Sequence, residues 1–178
     1  MNVQPAPDPE VTDEKRLRQA YGAFATGVTV VTVGGQAPHG MTANSFTTVS
    51  LDPPLVLVCV GRDAIMHHAL LDTRRFAVSV LAADQEDVAR HFADRRRPLG
   101  LEQFRPVEWL PGERTGAPLL AGAVTHFECA LWRSYDGGDH TIFLGRLLTL
   151  DRPSTDDALL FMSGKFLHLD TEPNEVTV

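Results

Sequence analysis

The sequence predicts a mainly β domain, a β-barrel decorated by short helices, on three observations. Apolar, β-branched runs recur at VTVVTV (Val28 to Val33), LVLVCV (Leu55 to Val60) and FAVSVL (Phe76 to Leu81). Their apolar character on both faces fits strands of a closed or covered sheet. Val124 to Tyr135 and Thr141 to Leu150 flank Asp136-Gly137-Gly138-Asp139, residues that tolerate positive φ, and so form a hairpin. The second half also leaves little room for crossover helices, which counts against the alternative, an alternating parallel α/β sheet.

In chain order, residues 1–12 read as a solvated arm, because Pro5, Pro7 and Pro9 deny it helix and ladder hydrogen bonds alike. The domain follows, over residues 13–170, and residues 171–178 form a polar tail. Asp13-Glu14-Lys15 opens a helix in which Leu17, Ala20, Tyr21 and Phe24 recur at helical spacing, ending near Thr26-Gly27. Strand Val28 to Val33 turns at Gly34-Gly35; Pro53-Pro54 introduces the strand Leu55 to Val60, and Phe76 to Leu81 is the third. Ala64 to Leu71 and Gln85 to Phe92 read as short helices between them. Ala93 to Gly116, rich in Arg, Pro and Gly, reads as a long loop around a short structured piece at Val107 to Leu110. After the hairpin, Ala158 to Met162 and Phe166 to Leu169 straddle Ser163-Gly164 and close the sheet. The sum is about six or seven strands, hairpin-dominated, with helices at the edges.

With 178 residues, 43% of them hydrophobic, the chain suffices for one packed core. A net charge of -7 and a pI near 5.4 argue against nucleic acid as the partner, since phosphate binding wants a basic face. Arg95-Arg96-Arg97 is the one basic cluster, sized for a local anion. Two cysteines in apolar stretches, Cys59 and Cys129, suit a reducing cytoplasm rather than a disulfide framework. No signal peptide and no membrane-length apolar run is visible.

Dinucleotide-fold glycine fingerprints, phosphate-loop, zincin, C-x-x-C and G-x-S-x-G motifs are all absent. His67-His68 invites a metal, but adjacent helical side chains point about 100° apart and no third ligand has suitable spacing, so no metal is assigned. The informative stretch is GMTANSFTTVS, Gly40 to Ser50. Thr42, Asn44, Ser45, Thr47, Thr48 and Ser50 concentrate hydroxyl and amide groups, and Gly40 and Ala43 let backbone approach closely. Asn44 both donates and accepts, which suits a heterocycle edge alternating acceptor, donor and acceptor, such as a flavin's pyrimidine edge. The other reading is that polar residues simply satisfy a barrel corner.

FATGVTVVT (Phe24 to Thr32), GMTANSF, SLDPPLVLVCV, Phe92-Ala93 and GDHTIFLG (Gly138 to Gly145), in that order, resemble the flavin reductase family with the FMN-binding split-barrel fold. The similar branch holds the small reductase components of two-component flavin-dependent monooxygenases, and the likeness runs from about residue 14 to 169. It implies a homodimer that oxidises NADH, or less often NADPH, reduces FMN or FAD, and releases reduced flavin to a separate monooxygenase, in secondary-metabolite or aromatic-compound oxidation. It implies that Thr42, Ala43, Asn44 and Ser45, followed by Ser50, line the isoalloxazine and ribityl chain. Cys59 and Val60 match a strand end facing the flavin, and Ala64 and His67 the start of the next helix. Phe92 and Ala93 match a loop near the flavin phosphate. The family commonly reads F-A-G-[KR] there, and this chain reads Phe92-Ala93-Asp94-Arg95, which leaves open which of Arg95, Arg96 and Arg97 pairs with phosphate; Arg95 and Arg97 are carried as candidates. His140 matches the GDH histidine near the nicotinamide, where it either assists the reaction or caps the turn. Phe166 matches an aromatic near the site.

Hydride transfer between two stacked rings needs no protein nucleophile, so hydroxyls, amides and apolar walls suffice. Cys59 reads as a pocket wall with no redox role. Trp132 and Tyr135 read as packing in a core or a dimer interface rather than stacking on a ligand. Two competitors remain: a flavin-binding module without NAD(P)H turnover, and an oxidase of the pyridoxamine-phosphate type, which would need a basic cluster aimed at a substrate phosphate.

Overall fold

The computed structural model describes residues 9–169. Most of the expected arm and all of the expected tail, residues 1–8 and 171–178, lie outside the described residues; Pro9–Thr12, assigned to the arm, form one 3-10 turn.

The first helix, α1, is Glu14–Gly22, and the Asp13 carboxylate caps it by accepting the N–H groups of Lys15 (2.9 Å) and Arg16 (3.3 Å). It stops short of the expected Thr26-Gly27 because those residues form a strand, β1 (Thr26–Gly27). The chain continues through β2 (Thr29–Val33), β3 (His39–Ala43), β4 (Thr47–Leu51), β5 (Pro54–Gly61), α2 (Ile65–Thr73), β6 (Arg75–Val80) and α3 (Glu86–Ala93). A 3-10 turn at Gly100–Phe104, β7 (Trp109–Pro111) and β8 (Pro118–Leu120) structure the expected long loop. The hairpin β9 (Thr125–Gly137) and β10 (His140–Asp151) follows, then β11 (Leu160–Met162) and β12 (Lys165–Leu167). The hairpin turn is tighter than expected: Gly137 and His140 pair, leaving Gly138-Asp139 as a two-residue loop with Gly138 at φ 80°.

Seven strands form one antiparallel sheet in the order β3-β2-β6-β9-β10-β5-β4, with β1-β11-β12 and β7-β8 as small separate sheets. Laid flat, the outer strands of a seven-stranded sheet would stand about 29 Å apart at ~4.8 Å per strand. Yet β3 ends at Ala43 and β4 begins at Thr47, and four Cα steps reach at most about 15 Å. The sheet therefore curls until its edges nearly meet, a barrel split between β3 and β4. This explains why the sequence count fell short. Residues 42–50, read as one polar turn, are in fact the two edges of the barrel and the three-residue link, Asn44 to Phe46, between them.

The strand β2 is buried on both faces. Val31 and Val33 join Val56, Val58, Val60, Phe76, Cys129 and Phe143 inside the barrel. Val28 and Val30 face outward into a second core with Leu81, Ala89, Phe92, Phe104, Leu120 and Leu159, under α3. Its two buried threonines are satisfied by main-chain carbonyls, Thr29 to Ala43 and Thr32 to Pro118, each at 2.7 Å. In contrast, α1 buries none of its residues, and its Tyr21 is exposed, as is Phe24 beyond its end. Among the described residues, no helix is long and apolar enough to cross a membrane.

Candidate active site

Beside the edge strand β3 lies a cavity of about 370 Å³, between β3, the start of α2 and the end of α3. Its apolar wall is Met41, Ile65, Met66 and Leu99, and its polar wall is His39, Thr42, Asp63, Arg95 and Arg97, with Ala64, Phe92 and Ala93 between. The size falls in the range of small-molecule sites. A larger hollow of about 660 Å³ beside α1 is walled by Glu14, Lys15, Arg18, Gln19, Gly22, Ser163 and Gly164, and brings together none of the predicted site residues.

The three consecutive arginines are not equivalent. Arg96 turns back onto the Asp94 carboxylate (3.3 Å). Arg97 is built into the wall: its guanidinium donates to the carbonyls of Gly40 and Asp94, the latter at 2.6 Å, and lies 5.8 Å from the centre of the Phe92 ring. Partial burial lowers its pKa, against the opposing pull of Asp94. Arg95 lines the cavity, is exposed, and has no hydrogen-bond or ionic partner among the described residues. It is the guanidinium left available to an anion.

Behind this loop sits a buried polar network. Gln103, fully buried, accepts the Gly40 N–H (2.9 Å) and donates to the carbonyls of Pro38 (3.0 Å) and Gly100 (2.8 Å). On the side of β3 that no strand covers, Gln103 and Arg97 thus satisfy the Gly40 main chain. His39, buried beside them with Nε2 3.5 Å from Arg97, is lowered to about 4, first by burial and then by the Arg97 charge. Gly40 is required by packing: a Cβ there would fall 2.7 Å from the Phe92 ring. Phe92 lines the cavity and is itself fully buried in the second core against Phe104, which anchors the loop that follows it.

The polar stretch divides into engaged and free groups. Thr42 Oγ1 donates to the Ala89 carbonyl at 2.7 Å and so ties the edge strand β3 to α3. Ser45 Oγ donates to the Cys59 carbonyl (2.9 Å) and accepts the Cys59 N–H (3.1 Å). The β4–β5 register pairs Thr47 with Leu57, so residue 45 stands opposite residue 59, and its side chain continues the ladder where the main chain departs. Ala43 is buried in the barrel core. Asn44 is exposed, with no partner for its carboxamide among the described residues. Ser50 sits half-buried on β4 beside a register shift.

On β5, Val60 faces the barrel core, so only its main chain is available outside; Cys59 faces the other way, half-buried, with its thiol raised by desolvation. Ala64 is the N-cap residue of α2 and lines the cavity. His67 is buried against Phe143, with Nε2 2.8 Å from Thr141 Oγ1 and Nδ1 unpartnered; burial, then His68 and Arg62, lower its pKa. It braces α2 against β10 and is not a cavity wall. His140 is exposed at the hairpin tip, opposite Gly61 of β5, with Nδ1 2.8 Å from Asp139 Oδ1. Phe166 does not line the cavity either. It packs edge-on to Phe161 with the Arg90 guanidinium 4.9 Å above its ring. Among the described residues, no group of three or more His, Cys, Asp or Glu could hold a metal ion.

Sequence reasoning missed His39, Met41, Asp63, Ile65, Met66 and Leu99 as cavity residues, and Gln103 as the support. The helix α2 was legible, and a helix starting near residue 64 on a barrel mouth points its first turn at the opening; His39 and Gln103 carried no local signal. The residues present fit a phosphorylated, flat heterocycle. An unengaged guanidinium stands at the rim and apolar side chains form the walls; the free Asn44 carboxamide, two residues beyond Thr42, is not among the lining residues.

A split barrel with an apolar-walled cavity beside its edge strand and a free arginine at the rim is the architecture of a split-barrel flavin protein. The chain belongs to the flavin reductase like family, whose domain model matches residues 21–170. It is 57% identical, over 96% of its length and 95% of the relative's, to an NADH-dependent FAD reductase of Streptomyces globisporus. Among solved structures, the NADH:FAD oxidoreductase SgcE6 of Streptomyces globisporus C-1027, in complex with NAD and FAD fragments, superimposes with a TM-score of 0.87 at 54% identity, over 96% of this chain and all of that one. BorF, the flavin reductase component of a bacterial two-component tryptophan halogenase, does so at 0.86 and 60% identity, over 90% of this chain and all of that one.

Proposed function

We propose that the protein is an NADH-dependent flavin reductase that binds FAD or FMN in the cavity beside β3 and releases the reduced flavin to a separate flavin-dependent monooxygenase. The carrying observation is that cavity, apolar on one side and offering Arg95 on the other, in a chain so similar to an NADH-dependent FAD reductase. The same similarity favours FAD over FMN and NADH over NADPH.

A bound flavin supplies an N5 that accepts two electrons and a proton as hydride from nicotinamide C4, and a second proton comes from solvent. The chain's part is to hold and orient. Arg95 pairs with a flavin phosphate, Met41, Ile65 and Leu99 exclude water from the ring faces, and Asn44 meets the heterocycle edge. His140, on the strand opposite Gly61, serves the nicotinamide. Thr42, Ser45 and Arg97 act one step removed, by holding the edges of the split in place.

A dimer is supported by the apolar character of the outer barrel surface. Leu57, Cys59, Ile142 and Leu144 are only half-buried there, Trp132 and Tyr135 are exposed, and Leu51 is 97% exposed. The exposure of Trp132 and Tyr135 argues against the core as their setting and supports an interface; the mass of the protein in solution tests it. Free thiols at Cys59 and Cys129 support a cytoplasmic setting.

The deciding experiment follows NADH oxidation by the purified protein, alone and with added FAD or FMN, through the nicotinamide absorbance. Turnover that rises and saturates with free flavin is expected. Flavin binding without NADH oxidation would overturn the reading in favour of a flavin-binding module.

A further inference from the structure

The cavity carries opposite charges on different elements. Asp63 stands one residue before Ala64, the N-cap of α2, while Arg95 and Arg97 follow the end of α3, and all three line the cavity. Asp63 is exposed and has no hydrogen-bond or ionic partner among the described residues, Arg95 included. Its neighbour in the chain does not neutralise it. The Arg62 guanidinium turns to the hairpin tip, where Nε–H donates to the Gly138 carbonyl (2.9 Å) and Nη2 stands 3.0 Å from Asp136 Oδ1. The Asp94 carboxylate is taken up by Arg96, and His39, lowered to about 4, is uncharged at pH 7. Asp63, Arg95 and Arg97 are therefore the charged groups of the lining, and they leave it one positive charge in excess.

That charge distinguishes the two flavin nucleotides. In FMN the phosphate is a terminal monoester, and such a group concentrates a charge of about −1.5 to −2 on one phosphorus at pH 7. In FAD the same phosphorus is a diester with a single charge. The second charge lies on the next phosphorus, and a ribose with two free hydroxyls follows. One excess positive charge matches the diester. A carboxylate without a partner repels the denser charge of the monoester, and it accepts hydrogen bonds from ribose hydroxyls that the dinucleotide has and the mononucleotide lacks.

We infer that Asp63 is a specificity-determining residue, whose carboxylate makes the cavity favour a flavin dinucleotide over the mononucleotide. The inference rests on the reductase reading above, in which Arg95 meets the flavin phosphate, and adds to it the side chain of this protein that sets the choice of flavin. Arg95 attracts either nucleotide and Asp63 discriminates between them. Because Asp63 is exposed, water and salt screen its charge, and the discrimination is modest in size.

The test measures, by calorimetry, the Kd for FAD, FMN and riboflavin in the parent and in Asp63→Asn, which keeps the shape and removes the charge. The ratio of the FMN Kd to the FAD Kd should exceed one in the parent and fall about two- to fivefold in the variant, the range of an exposed charge interaction. Salt weakens the attraction of the arginines in both proteins alike, so at about 0.5 M salt the difference between the two ratios should narrow. Riboflavin has no phosphate and should bind both proteins equally, which checks that the cavity is intact; Asp63 has no contact whose loss would disturb the fold. A ratio in Asp63→Asn equal to the parent's, a difference that salt leaves untouched, or a parent that binds FMN as tightly as FAD overturns the inference, and flavin-dependent NADH oxidation by that same protein leaves the reductase reading standing. A parent that binds no flavin overturns both.

Discussion

Two neighbouring arginines should separate stability from affinity. Arg97→Ala removes guanidinium bonds to the carbonyls of Gly40 and Asp94, and with them the support of the β3 edge. Hydrogen bonds from charged donors contribute roughly 1.5–3 kcal/mol each. Because Arg97 is only half-buried, the lower end applies, and two bonds give a loss of about 3 kcal/mol. For a chain of this size that corresponds to a fall in Tm of roughly 6–12 °C. Arg95→Ala breaks no contact among the described residues, so its Tm should stay within about 2 °C of the parent. Its effect should fall on the phosphate instead, about 10- to 100-fold in the Kd for FMN. Riboflavin, which lacks the phosphate, should bind both Arg95→Ala and the parent equally. Thermal unfolding and quenching of flavin fluorescence give both numbers from one preparation. An Arg95→Ala protein that binds FMN as the parent does, or loses riboflavin to the same extent, refutes the assignment of that side chain to phosphate.

Ser45→Ala should act on stability before it acts on ligand. Both main-chain groups of Cys59 lose their partner, which costs about 1–3 kcal/mol at a half-buried site; an unaltered denaturation midpoint would show that the hydroxyl was available to flavin after all. Acid should weaken the fold through His39, whose pKa in the folded protein is about 4 against an ordinary 6.5. Between those values the unfolded chain binds a proton that the folded one refuses, so this contribution is full above about pH 6.5 and declines as pH falls towards about 4. His67, lowered in the same direction, adds to the decline. His39→Gln should flatten the dependence of the urea midpoint on pH across that window, and a slope as steep as the parent's would contradict the assignment.

The strands that were legible are those whose burial is written into composition. The strands β2, β5 and β6 and the β9–β10 hairpin are long or covered on both sides, so β-branched and apolar residues accumulate in them, and Gly138 marks the hairpin turn. The strands β3 and β4 were not legible because neither has a partner on its outer side. HGMTA carries a glycine in mid-strand only because the Phe92 ring occupies the space of its Cβ, and Phe92 is far away in sequence. TTVSL alternates little because β4 is almost wholly exposed. The first helix was overextended for a related reason: Thr26-Gly27 pairs with Phe161 and Leu160, a contact no local pattern announces.

The same geometry explains why the sequence marks residues 42–50 as polar without telling which of their side chains are free. Where a barrel splits, the main-chain groups that would have met across the closing seam need other partners, and small hydroxyls and amides are the residue types that supply them. Those are also the types that hold a heterocycle, so residues 42–50 carry one signature with two causes. Only the partner tells them apart, and each partner comes from another element: Ala89 of α3 for Thr42, Cys59 of β5 for Ser45, and Gly40 of β3 for Arg97. The groups available to a ligand are found by subtracting those the split consumes. Those that remain include the Asn44 carboxamide, the Arg95 guanidinium, the hydroxyls of Thr48 and Ser50 and the Asp63 carboxylate. A carboxamide matches a heterocycle edge and a guanidinium a phosphate, so the first two would suit different parts of one flavin nucleotide.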